Sequence, residues 1–131
     1  MGALQYEEGL EAAAFLLLAE RVWPRGYDIG LAEAALRRTI NIGAWDGPRL
    51  VGAVRLLTDG YFFAVVPEIL VDPDYQRRGV GRALMELALD RAPRRCLFLG
   101  AQPQSVKFFE KIGCEPGPVG MVMRKREAAN E

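Results

Sequence analysis

Histidine is absent from this 131-residue chain, and cysteine occurs only twice. The first absence removes the commonest general base and the commonest metal ligand. No cluster of Cys, Asp or Glu has metal-ligand spacing, so no metal is expected. Cys96 and Cys114 fall in apolar, strand-like contexts. They read as buried free thiols, and a disulfide is not expected in a reducing cytoplasm. Neither sign of charge dominates, with 17 basic and 17 acidic residues. A nucleic acid is therefore not expected as the main partner. Long apolar runs are missing too. Ala12 to Ala19 is too short to span a bilayer and has Glu11 and Glu20 at its ends. The start of the chain does not look like a secretory leader. The expectation is a soluble cytoplasmic protein without a membrane partner. Repeats, low-complexity tracts and dividing linkers are lacking, so residues 1–131 are expected to form a single domain. Half the residues are hydrophobic and 26% are charged, a globular balance rather than a disordered one.

The most informative stretch that is present runs from Val71 to Leu84. The apolar run Glu68-Ile69-Leu70-Val71 leads into it as a strand, and Val80 to Arg91 leads out as a helix. Between them the chain turns past Gly79 and Gly81 and three arginines, Arg77, Arg78 and Arg82. Glycines let amide N–H groups approach a phosphate, and a helix start adds free N–H donors and partial positive charge. The layout is that of an anion cradle. A P-loop would need Gly-Lys-Ser/Thr, which is absent. A dinucleotide fingerprint would need a third small residue, but position 84 is Leu.

Periodicity and breakers divide the rest. Leu4-Gln5-Tyr6 reads as a short strand, and Leu10 to Val22 as a helix broken by Trp23-Pro24-Arg25-Gly26. Asp28 can cap a second helix over Leu31 to Thr39. Ile40 to Trp45 and Arg49 to Leu57 read as strands joined by an Asp46-Gly47 turn. Thr58-Asp59-Gly60 turns the chain into a long strand, Tyr61 to Val71. After the central helix, Cys96 to Leu99 reads as a buried strand. Ser105 to Ile112 is a helix stopped by Gly113. Val119 to Arg126 reads as a closing strand, with a tail expected to fray.

Gln76-Arg77-Arg78-Gly79-Val80-Gly81, preceded by Val71-Asp72-Pro73-Asp74-Tyr75, resembles the acyl-CoA loop of the GNAT superfamily of acetyl-CoA-dependent N-acetyltransferases. The element order resembles that fold over nearly the whole chain. The resemblance implies an α/β (α+β) fold with a mixed, mainly antiparallel sheet, splayed at the acyl-CoA site and flanked by helices. It implies that acetyl-CoA is the co-substrate. Gln76, Arg77, Arg78, Gly79, Val80, Gly81, Arg82 and Ala83 would hold its phosphates. The backbone of Ile69, Leu70 and Val71 would pair with its pantetheine arm like an added strand. Val51-Gly52-Ala53-Val54-Arg55 through Gly60, Trp23-Pro24-Arg25, and Phe108 to Cys114 are similar to stretches of a small-GNAT subgroup.

Acetyl transfer needs a free amine, so something must accept a proton. Without histidine the acceptor is expected to be a carboxylate, directly or through water. Glu68, beside the expected thioester position, is the candidate. The alternative is a strand-end glutamate facing solvent. Asp59, Tyr61 and Tyr75 read as turn, core or loop residues. Trp23 fits an amine pocket and plain packing equally well. Phe109 stands where the family usually has a tyrosine acting as general acid, and a phenyl ring donates no proton. Gln102 and Cys114 are lesser departures. The expected activity is direct N-acetylation of a small-molecule primary amine. The alternatives are a protein N-terminal or lysine acetyltransferase, and a non-catalytic acyl-CoA-binding module. A homodimer is left open.

Overall fold

The computed structural model describes residues 3–125, which fall into two compact units, residues up to Leu99 and residues from Gly100. The first unit is a five-stranded sheet with helices on both faces. Its strands are β1 (Gln5–Glu8), β2 (Ile40–Asp46), β3 (Arg49–Thr58), β4 (Ala64–Val71) and β5 (Phe98–Leu99), lying in that order. The first four pair antiparallel, and β5 runs parallel to β4. Its helices are α1 (Ala12–Val22), α2 (Ile29–Leu36) and α3 (Val80–Arg91). The fold is the mixed, mainly antiparallel sheet with flanking helices that the sequence implied.

Successive residues of β3 serve opposite faces, as strand geometry dictates. Ala53 and Leu70 join Ala12, Phe15, Leu18 and Ala19 of α1 and Leu36 of α2 in one buried cluster. The helix spacing of those α1 residues makes one apolar stripe. Burying each large side chain there contributes about 1.5–3 kcal/mol. Gly52 faces the other way. A Cβ on it would lie 2.8 Å from Val80 Cγ1 and 3.0 Å from Leu84 Cδ1. Only glycine lets α3 settle this close to the sheet. Asp28 caps α2, accepting the Leu31 N–H at 2.9 Å. The β2–β3 turn is made by Gly47 and Pro48, one residue later than expected, with Gly47 at φ +57°.

Four expectations are corrected. The strand expected from Tyr61 starts only at Ala64. The Asp59 carboxylate accepts the N–H groups of Tyr61, Phe62 and Phe63, and holds all three in the turn. Of Cys96 to Leu99, only Phe98 and Leu99 are strand, and Cys96 is exposed rather than buried. The chain before it turns through Arg94 and Arg95, both at positive φ, so it straightens late. Residues 119–125 form no strand, with Val119, Met121 and Met123 exposed, and Arg126 and the tail lie outside the described residues.

The second unit holds a single helix among its described residues, α4 (Val106–Lys111). Its Phe108 and Phe109 rings meet edge to face at 5.1 Å. Gly113, at φ +107°, follows its end, as read from the sequence. No helix of the described residues is long and apolar enough to cross a membrane.

Candidate functional site

The site is built on β4, which changes partners halfway. On one side β3 pairs with it from Ala64 to Val71. On the other, β5 pairs only with Val65 and Val66. Phe63 and Phe98 stack at 5.0 Å and close that end. Beyond Val66 no described strand covers the β5 side. The register against β3 also shifts there, so that Val66 and Pro67 lie between the pairs Leu57–Val65 and Arg55–Glu68. Such bulges re-aim the residues that follow, and a proline without an N–H is tolerated at one.

Which backbone groups face the open side follows from the ladder. The Asp72 N–H donates to Val51 C=O at 2.8 Å, so Asp72 aims at β3. Alternate residues aim alike in an antiparallel pair. Leu70 therefore spends its N–H and C=O on β3, while Ile69 and Val71 turn theirs to the open edge. The Val71 C=O already accepts from Gln76 Nε2 at 3.3 Å. That leaves both Ile69 groups and the Val71 N–H. Of the three residues expected to offer backbone, Ile69 and Val71 are aimed to do so.

Past Val71 the chain makes a short turn, Pro73–Tyr75, then runs through Gln76, Arg77, Arg78 and Gly79 into α3. Gly79 caps the helix at φ +83°, a left-handed conformation that suits glycine. Arg77 is left-handed as well, at φ +65°. The first intrahelical bond runs from Ala83 N–H to Gly79 C=O at 3.0 Å. The N–H groups of Val80, Gly81 and Arg82 thus have no carbonyl inside the helix to bond. Gly79, at the cap position, has no side chain to offer them. The four residues Gln76 to Gly79 are exposed. A helix start capped by a left-handed glycine, with exposed arginines before it, fits the pyrophosphate of a CoA ester.

A buried carboxylate holds this loop. Asp72 is fully enclosed. It accepts Arg21 Nε at 2.7 Å and Arg21 Nη2 at 3.0 Å, Arg49 Nη2 at 2.9 Å and its own loop's Asp74 N–H at 2.9 Å. The Arg21 guanidinium does most to hold the Asp72 carboxyl at about 2, against an ordinary 3.8, although burial pushes the other way. Tyr75 completes the brace. Its hydroxyl donates to Asp46, and its ring lies between Arg49 and Arg78, 5.4 and 5.1 Å from their guanidinium carbons. The loop is thereby tied to α1, β2 and β3. Arg21 falls within the helix read over Leu10 to Val22, and nothing in the neighbouring sequence gives it this role. The partners are 51 positions apart, with no local pattern to link them.

Glu68 stands opposite Arg55 in the ladder, on the sheet face that carries Ala53 and Leu70. Arg55 Nε donates to Glu68 Oε1 at 2.5 Å. Glu68 is therefore not a strand-end carboxylate facing solvent. It lies one residue past Pro67, where the cover of β5 has ended. Asp59 is a turn residue, as above. Trp23 follows the end of α1, half exposed, with its carbonyl accepting the Tyr27 hydroxyl at 2.7 Å. In the second unit, Phe109 is buried and Cys114 half-buried, with burial raising the thiol's pKa. Gln102 precedes a short turn and caps nothing with its side chain.

Known proteins are similar to this chain in sequence and in fold. The sequence profile of the Acetyltransferase (GNAT) family matches residues 9–114. A probable acetyltransferase of soybean (Glycine max), TAP2, is 30% identical over 118 residues, covering 79% of this chain and 48% of its own. The chain thus spans about half the length of that curated relative. A GNAT-family acetyltransferase of Streptococcus pneumoniae superposes with a TM-score of 0.80 at 27% identity, over 95% of this chain and 99% of that one. An aminoglycoside N-acetyltransferase solved in complex with CoA shares the fold at a TM-score of 0.77 and 16% identity, over 96% of this chain and 97% of its own. A profile match over most of the residues places this chain in the GNAT acetyltransferase family.

Proposed function

We propose that the protein transfers an acetyl group from acetyl-CoA directly to a primary amine of a small molecule, within one ternary complex. One observation carries this reading. On β4 both backbone groups of Ile69 and the Val71 N–H face the side β5 has left, and Glu68 adjoins them. The N–H groups of Val80, Gly81 and Arg82 then bind pyrophosphate, with Arg77 and Arg78 adding charge. Ile69 and Val71 take the pantetheine arm as an extra strand would be taken, which sets the thioester near Glu68.

Glu68 accepts the proton of the ammonium, directly or through a water. The amine nitrogen then forms its bond to the acetyl carbon and gives up its second proton to water, the carbon–sulfur bond breaks, and CoA leaves as thiolate. Phe109 supplies no proton. A thiol with a pKa of about 8.5 is a tolerable leaving group without one. The same fold serves an aminoglycoside N-acetyltransferase and a ribosomal-protein-alanine N-acetyltransferase, so the choice of a small amine is the part that the amine and peptide panel decides.

The test is Glu68→Gln. The substitution is expected to lower turnover by roughly 10²–10⁴ at neutral pH, with CoA affinity nearly unchanged. The deficit shrinks as pH rises, because free amine then forms unaided. Wild-type turnover in a folded variant would refute the assignment. A panel of small amines and peptides tests the acceptor, and a clear preference for peptides would overturn the small-molecule reading.

A further inference from the structure

We propose that Arg55 is the positioning residue for the proton acceptor, fixing the Glu68 carboxylate at the opening of the sheet. The inference rests on the reading of Glu68 as that acceptor. Arg55 and Glu68 lie directly opposite across β3 and β4, in the last aligned pair before the register shifts. On the next step Val66 and Pro67 face Leu56 alone, so the ladder hands on no alignment from that side. Glu68 has also passed the end of β5 pairing, which stops at Val66. Its backbone is thus braced only toward β3, and its side chain has three rotatable bonds.

The guanidinium supplies what the backbone does not. Nε of Arg55 holds Oε1 at 2.5 Å, and the two side chains are 18% and 25% exposed, so the contact is largely shielded from competing water. A planar, permanently charged guanidinium sets direction as well as distance. Among the described residues, Arg55 holds only one carboxylate oxygen. With Oε1 pinned, Oε2 is the oxygen left to accept the proton, and its direction is set by Arg55. A misplacement of about 1 Å at a reacting group can cost on the order of 10²-fold in rate.

The experiment is a double-mutant cycle read in steady-state kinetics on the full chain. Arg55→Met is expected to lower kcat about 10–100-fold, with KM for acetyl-CoA and CoA affinity unchanged. Arg55→Lys should recover part of kcat, because an ammonium restores the charge but not the fixed direction. In a Glu68→Gln background, Arg55→Met should cost nothing further, because the two residues act as a unit. Exchanging the pair, Arg55→Glu with Glu68→Arg, separates this role from strand cohesion. It should restore the melting temperature of Arg55→Met toward wild type and leave kcat low. Two results would overturn the proposal. One is Arg55→Met with wild-type kcat while Glu68→Gln is crippled. The other is an exchanged pair that recovers kcat along with stability. If Glu68→Gln is itself fully active, the fault lies in the reading of Glu68.

Discussion

Asp72→Asn removes one negative charge from a site enclosed on all sides, and its effect can be worked out beforehand. In the native protein the carboxyl sits at about 2, against an ordinary 3.8. At ~1.36 kcal/mol per pH unit that gap corresponds to about 2.4 kcal/mol of stability. Arg21 and Arg49 are each nearly half exposed, so solvent screens part of the attraction, and about 1–2 kcal/mol is the better figure. The sign follows from the direction of the shift. A carboxyl held below its unfolded value contributes fully above about pH 4, and the contribution fades as pH falls from 3.8 toward 2. Asparagine keeps an oxygen for the Asp74 N–H, but its amide N–H groups oppose the arginines. At neutral pH the variant should therefore melt about 3–10 °C lower. Thermal unfolding followed by circular dichroism between pH 7 and pH 2 reads both quantities. Wild type should lose stability below pH 4 more steeply than Asp72→Asn, and the two curves should converge near pH 2. Parallel curves with a constant offset would refute the argument, because the offset would then owe nothing to ionisation of Asp72.

Two further substitutions probe the cradle. Gly81→Val places a branched side chain at the start of α3, where bonds to a charged phosphate are worth roughly 1.5–3 kcal/mol each, so calorimetry should show CoA binding weakened at least about tenfold. Unchanged affinity in a folded variant would remove the helix start from the site. Gly52→Ala puts a Cβ 2.8 Å from Val80 Cγ1 on the stiff first turn of α3. The helix must shift, at about 1–3 kcal/mol. A lower melting temperature and weaker CoA binding should appear together, and an unchanged melting temperature would show that the packing gives more easily than the distances imply.

The parts legible in the sequence were those whose causes are local. The helix α3 was read end to end because Gly79 marks its start and Ala92-Pro93 its finish. Ile40 and Arg49 each open a strand where alternation and a turn signal said they would. The start of β4 was misread because Tyr61, Phe62 and Phe63 are strong strand formers. The Asp59 carboxylate, two to four positions before them, overrode that preference by taking three N–H groups. Glu68 and Arg55 were each visible, yet their pairing depends on a register that a bulge shifts next door. The Arg21–Asp72 brace joins segments that only the folded sheet brings together.

Pro67 has a consequence for association as well as for shape. An open strand edge invites another chain to add itself, which is how sheets nucleate aggregates. Here the open stretch is bracketed by Pro67 and Pro73, neither of which has an N–H to offer. The five residues between them reach about 17 Å at most. That is long enough for a slender arm with a few amide groups and too short to template a stable intermolecular sheet. The same two prolines that limit the opening thus leave it available to a guest while keeping neighbouring copies of the chain from growing on it.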